Sequence, residues 1–202
     1  ALPFSANENP LGMPNPVRQG AAQADSAPYP DPLCRDLRRA IAAHDGVGEE
    51  QVVCGNGAAD LIFRLVFALK PKKALVTAPT FSEYEEALTC VGCEVTRYTL
   101  DQNRNFDLDF GFLDAIGHDT DLVFLCSPNN PTGRLIDQDL LESVVKRCGA
   151  VGAVLVVDEC FLPLATGGPG LAPWLAHHPN LVLLRAFTKS YAMPGLRLGY
   201  CL

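Results

Sequence analysis

Residues 187–200 read FTKSYAMPGLRLGY. Just upstream, Leu181-Val182-Leu183-Leu184 is apolar at every position, the pattern of a strand covered on both faces. The chain thus carries a buried strand into Lys189, set between the hydroxyls of Thr188 and Ser190, and follows it with Arg197 between two leucines. A lysine at the end of a buried strand costs free energy unless it is paired or neutral. A partly desolvated lysine is also the nucleophile that imine chemistry needs, and the guanidinium fork suits a phosphate. Each residue has a plainer reading as well, an ordinary surface lysine and an ion-paired arginine.

Outward from this stretch the same kind of strand recurs. KALVTA (73–78), DLVFLC (121–126) and AVLVVDE (153–159) read as buried strands, EVTRYTL (94–100) as an alternating one, and RLGYCL (197–202) as the start of another. Between them, residues 58–69, TFSEYEEALTCV (80–91), Phe112 to Ile116 and QDLLESVVKRCG (138–149) have helical periodicity. Apolar strands alternating with helices predict an α/β fold with three αβα layers and a mostly parallel sheet. Ligands in such sheets sit beyond the carboxyl ends of the strands. The polar clusters SPNNPTG (127–133), DEC (158–160) and FTKS (187–190) each follow directly on such an end, so three separate loops should meet on one rim.

The proline-rich residues 1–32 are expected to form an arm or loop. A helix should start at Asp31-Pro32, bury Leu33, Leu37, Ala40 and Ile41, and end at Gly46. Asp158 closes the apolar run VLVV and needs a cationic partner or several donors; it could equally cap the following turn. Gly55 and Gly57 in GNGAADLI precede a helix, where free N–H groups can seat a phosphate, although glycine there is more often only a turn. In SPNNPTG two prolines flank two asparagines, which stiffens the backbone and can hold one amide in place.

Taken in order, a lysine, an aspartate, an asparagine and an arginine at these places resemble the fold-type I, aspartate aminotransferase-like family of pyridoxal 5'-phosphate enzymes. SPNNPTG, VDE and TKSYAMPGLRLGY carry the resemblance, and it extends from NENP (7–10) to LGY (198–200). It implies Lys189 as the imine-forming lysine, Asp158 as the partner of the pyridine nitrogen and Asn130 as the donor to the ring oxygen. It implies Arg197, Thr188 and the amides of Gly57, Ala58 and Ala59 around the phosphate, Tyr84 stacked on the ring, and Tyr29 reaching the phosphate of a partner subunit in a homodimer. Asn9, Gly12 and Asn130 are the implied substrate contacts, and no metal is expected.

Two branches of the family compete. NENP looks like histidinol-phosphate aminotransferase, whereas FSANENPLGMP (4–14), YPDP (29–32), GNGAADLIFRL (55–65) and the closing stretch look closer to threonine-phosphate decarboxylase of cobalamin biosynthesis. Phe161 stands where many aminotransferases carry a tyrosine. Either branch implies a small phosphorylated amino compound as substrate. A pyridoxal-phosphate-binding regulatory domain would carry the same rim. A nicotinamide-binding fold is disfavoured, because GNGAAD lacks the third glycine of its fingerprint.

The net charge of −7 argues against a nucleic-acid surface. No apolar run approaches a membrane span, and the first residues lack a secretory leader, which predicts a cytoplasmic protein. The eight cysteines read as reduced thiols. Cys90 and Cys93 have CxxC spacing without the other half of a zinc site and are expected to pack structurally, and the four histidines to be solvated. The expected division is an arm over 1–32, a helix of the small-domain region over 33–47, and a cofactor-binding large domain over 48–202. The sequence begins without methionine and stops before the C-terminal domain of the family, so a longer protein is expected.

Overall fold

The computed structural model describes residues 7–166, 168 and 170–202. Among the described residues seven strands form one sheet: β1 (Val53–Gly55), β2 (Lys73–Ala78), β3 (Glu94–Thr99), β4 (Leu122–Cys126), β5 (Val154–Asp158), β6 (Leu181–Ala186) and β7 (Gly199–Cys201). Their order is β1-β7-β6-β5-β4-β2-β3. The pairings among β2 to β6 are parallel, whereas β7 runs antiparallel to both β6 and β1.

Alternation along the central strands sends side chains to two faces. On one, Leu75, Val123, Leu125, Leu155, Val157 and Leu183 share a core with Leu140, Val144 and Cys148 of helix α6 (Gln138–Val151). On the other, Val76, Phe124, Val156 and Leu184 meet helices α3 (Ala58–Leu69) and α4 (Glu83–Cys90) through Leu61, Ile62, Val66, Ala87 and Leu88. The result is the three-layer αβα arrangement expected of strands apolar at every position. Local chemistry sets the helix limits. Asp137 caps α6 by accepting from the N–H groups of Asp139 and Leu140, and Gly152, at φ 81°, ends it.

Two local expectations change. The arm contains a nine-residue helix, α1 (Asn15–Gln23), with Pro16 in its first turn, where a missing N–H costs nothing. It buries no residue, which is why apolar periodicity did not mark it. The next helix, α2 (Arg35–Asp45), starts four residues later than expected. Asp31 accepts from the N–H groups of Leu33 and Arg35 and pairs with the Arg35 guanidinium, fixing a turn there, so Leu33 is exposed and Ala40 also faces out. Gly46 ends α2 at φ 70°, as read. The helix assigned to a small-domain region buries Ile41 and Ala42 in the same core as the sheet. Among the described residues the remaining α-helices are the single turns α5 (Phe112–Ala115) and α7 (Phe187–Ser190), and five short 3-10 helices lie in the connections. All eight cysteines are free thiols; Cys90 is exposed and does not pack as expected of it. No helix among the described residues is long and apolar enough to cross a membrane.

Candidate active site

The carboxyl ends of β4, β5 and β6 lie side by side, with Cys126 opposite Asp158 and Asp158 opposite Leu184. Beyond them opens a cleft of about 660 Å³, part of it open to solvent, lined by Ala58, Ala59, Phe81, Asn130, Asp158, Phe161, Thr188, Lys189 and Arg197. The loops expected on one rim therefore do meet there.

Asp158 forms the floor. Its Oδ1 accepts from the Cys160 N–H at 2.9 Å and its Oδ2 from the Tyr84 hydroxyl at 2.8 Å. Burial pushes its pKa up, and these two donors oppose the shift. No salt bridge reaches it among the described residues. A buried carboxylate of this kind is completed by a cationic donor entering from the cleft.

The two asparagines of SPNNPTG divide their work. Asn129 is buried; it donates to the Pro79 carbonyl and the Thr132 hydroxyl and accepts from the Thr80 hydroxyl. That fixes the loop and leaves Asn130 on the cleft wall. Lys189, also on the lining, follows β6 in α7. Its Nζ donates to the Asn7 carbonyl at 2.9 Å and lies 5.7 Å from the Phe161 ring centroid. Asn9 is held close by, with its amide donating to the Ser190 carbonyl at 3.0 Å. Gly12 closes a turn onto the Asn9 carbonyl and does not line the cleft.

At the end of the cleft a helix start and an arginine come together, a combination whose chemistry suits an anion. Helix α3 begins at Ala58 without a side-chain cap, so the first N–H groups face outward unpaired within the helix. Gly57, at φ 89°, lies against the Arg197 guanidinium; a Cβ there would sit 2.7 Å from Nη2. A Cβ on Gly199 would meet the Gly57 carbonyl carbon at 2.9 Å. Backbone, arginine and helix end are thus packed with no room for a methyl group between them. Thr188 is buried and also lines the cleft.

One implied contact is corrected. Tyr84 cannot stack on a ligand in the cleft, because its ring is fully buried, stacked on Phe124 at 4.8 Å between centroids, with its hydroxyl bound to Asp158. Phe81, which with Phe161 lines the cleft, stands edge-on to Tyr84 at 5.6 Å. Tyr29 is wholly exposed and does not line the cleft. The sequence reading also missed Cys126, Cys160, Ala186 and Pro194 on the lining; the first three lie on or just past strand ends, so the rim rule points to them. Among the described residues no group of three or more His, Cys, Asp or Glu side chains is placed to hold a metal ion.

A parallel sheet whose rim presents a buried aspartate, a cleft-facing lysine and an arginine beside a helix start defines an aminotransferase-type site, and residues 1–202 match the family described as aminotransferase class I and II. The chain belongs to that family. Its sequence is 40% identical over 203 residues to threonine-phosphate decarboxylase of Salmonella typhimurium, covering 98% of this chain and 55% of that protein. It is 35% identical over 205 residues to histidinol-phosphate aminotransferase of a Geobacillus species, covering 98% and 55%. The fold superposes on the crystal structure of histidinol-phosphate aminotransferase from Clostridium acetobutylicum with a TM-score of 0.88 and 30% identity, over 100% of this chain and 60% of that one. The chain spans about half the length of the curated relatives it matches.

Proposed function

We propose that the full protein is a pyridoxal 5'-phosphate-dependent decarboxylase acting on threonine phosphate. The residues present fit that cofactor. The buried Asp158 lacks a cationic neighbour among the described residues, Lys189 faces the cleft, and the Gly57–Arg197 seat leaves backbone donors free. When bound, the cofactor supplies an electron sink for the pair released from a bond at the substrate's α-carbon.

The chain's own residues then have distinct tasks. Lys189 Nζ would attach the group and take or give a proton at the substrate's α-carbon. Asp158 holds a proton on the ring nitrogen, because a cation relieves its buried charge. Asn130 donates to the ring oxygen. Arg197, Thr188 and the amides of Gly57, Ala58 and Ala59 hold the phosphate. Phe81, on the cleft wall, would offer an apolar face to the ring. Asn9 and Gly12, on the arm, and Asn130 are the proposed substrate contacts, and Tyr29 belongs to a site shared across a homodimer in the cytoplasm.

The observation that carries the choice of reaction is the 40% identity to a threonine-phosphate decarboxylase across nearly the whole chain. Phe161, on the cleft wall and without a hydroxyl to offer the ring oxygen, agrees with it. The second reading, histidinol-phosphate aminotransferase, is supported by the 35% identity and the TM-score of 0.88. Assays of the full-length protein separate them. Release of CO2 from threonine phosphate is expected. Rapid 2-oxoglutarate-dependent conversion of histidinol phosphate with no CO2 release would install the second reading instead. Cofactor binding without either turnover would favour a regulatory domain.

A further inference from the structure

Behind the cleft, at the same strand ends, lies a buried ion cluster that the proposed chemistry leaves unused. Arg185 of β6 donates from Nε to Glu159 Oε2 at 2.8 Å and from Nη1 to Asp45 Oδ1 at 2.7 Å, and its Nη2 lies 2.6 Å from Glu159 Oε2. The three side chains are 17%, 3% and 4% exposed for Arg185, Glu159 and Asp45. The other Glu159 oxygen accepts from the Leu171 N–H at 2.8 Å. Asp45 Oδ2 has no hydrogen-bond partner among the described residues. Two carboxylates therefore share one guanidinium. Such a cluster adds little stability over apolar packing, because desolvation offsets the attraction. What it does supply is direction: the guanidinium fork holds its partners in fixed orientation.

Its place in the chain gives that direction a use. Glu159 directly follows Asp158, and Arg185 precedes Lys189 by one turn of chain that includes Ala186 and Thr188 of the cleft wall. The Glu159 N–H also donates to the Leu184 carbonyl at 2.8 Å. The side-chain pair thus straps the end of β5 to the end of β6 where one strand delivers Asp158 and the other delivers Lys189. Asp45 ties the end of α2 to the strap.

We propose that the Glu159–Arg185 pair is a positioning device, which fixes the separation and orientation of the Asp158 carboxylate and the Lys189 amine so that both engage one rigid ring. The inference rests on the pyridoxal phosphate reading above. A flat aromatic cofactor cannot bend to meet two misplaced groups, so loss of the strap weakens one contact or the other.

The test uses the full-length protein and the variants Glu159→Gln, Arg185→Lys, Arg185→Met and Asp45→Asn. Four quantities are measured: the melting temperature, the dissociation constants of pyridoxal phosphate and of inorganic phosphate, and the pH midpoint of the visible absorbance change. Glu159→Gln and Arg185→Met should weaken pyridoxal phosphate binding roughly tenfold or more. Phosphate binding should stay within about twofold of wild type, because the α3 seat is untouched. The midpoint should move upward, since a ring nitrogen no longer held protonated stops repelling the proton at Lys189 Nζ. Arg185→Lys should fall between wild type and Arg185→Met. Asp45→Asn leaves the pair intact and should change only the melting temperature. Wild-type cofactor affinity and midpoint in folded Glu159→Gln and Arg185→Met would overturn the proposal. So would a joint fall of both affinities and melting temperature in every variant, Asp45→Asn included. If the wild type itself bound no pyridoxal phosphate, the cofactor reading would fall first, and visibly so.

Discussion

Asp158 is held in a place where its charge is unwelcome until something cationic arrives. Burial raises its pKa above the ordinary 3.8, so the ligand-free fold binds more protons than the unfolded chain between those two values. Stability from this group is present below the unfolded pKa and lost as pH rises through the folded one. Asp158→Asn should therefore stabilise the ligand-free protein at pH 7. An asparagine can still accept from the Cys160 N–H and donate to the Tyr84 hydroxyl. Urea melts at pH 4, 5 and 7 should show the gain shrinking toward pH 4, and pyridoxal phosphate should raise the melting temperature of wild type more than that of the variant. A wild type more stable than Asp158→Asn at pH 7 without ligand would contradict this account. Borohydride reduction followed by peptide mapping should place the pyridoxyl group on Lys189; recovery on Lys70 or Lys146 would reject that assignment. At this scale residue type and strand position pointed to Asp158, Lys189 and Arg197 as rim residues, whereas the choice of Asn130 over Asn129 came only from the family resemblance. The choice between Phe81 and Tyr84 was not legible. The two lie three apart, and only the point where α4 begins decides that Phe81 stays on the rim while Tyr84 turns under the sheet.

Among elements, the tightest fit is between the start of α3, the Arg197 turn and β7. Gly199→Ala would force a methyl group to within 2.9 Å of the Gly57 backbone. Overpacking of this kind costs about 1–3 kcal/mol. The expected outcome is a lower melting temperature together with a smaller rise on adding phosphate, since α3 must move away from Arg197. A normal phosphate response in a folded Gly199→Ala protein would show that the seat tolerates the shift. The central strands were legible as elements because they are apolar on both faces. Helices α1 and the start of α2 were not. The first buries nothing, and the second is set by a side-chain turn at Asp31, so neither leaves a hydrophobic period to read.

For the whole molecule, the layered architecture followed from the order of strands and helices, whereas partners leave no such pattern in one chain. Tyr29 and Leu11 are almost wholly exposed here, and the proposal of a shared site gives Tyr29 a place to go. Mixing full-length Tyr29→Phe and Lys189→Ala proteins should restore part of the activity each has lost, because some hybrid dimers carry one intact site. No recovery despite proven subunit exchange would argue for a site built from a single chain.

The sheet is closed at one edge by β1 and β7, which pair Val53 with Cys201 and Gly55 with Gly199. On a ribosome, the glycines of the proposed phosphate seat emerge early, and the arginine that completes it emerges only after every central strand has been made. A nascent chain released before Gly199 can order its parallel strands yet has nothing to pin Gly57 against Arg197. Closing so long a loop is slow compared with local helix formation. The proposed phosphate seat is therefore completed only once Arg197 and β7 have been made.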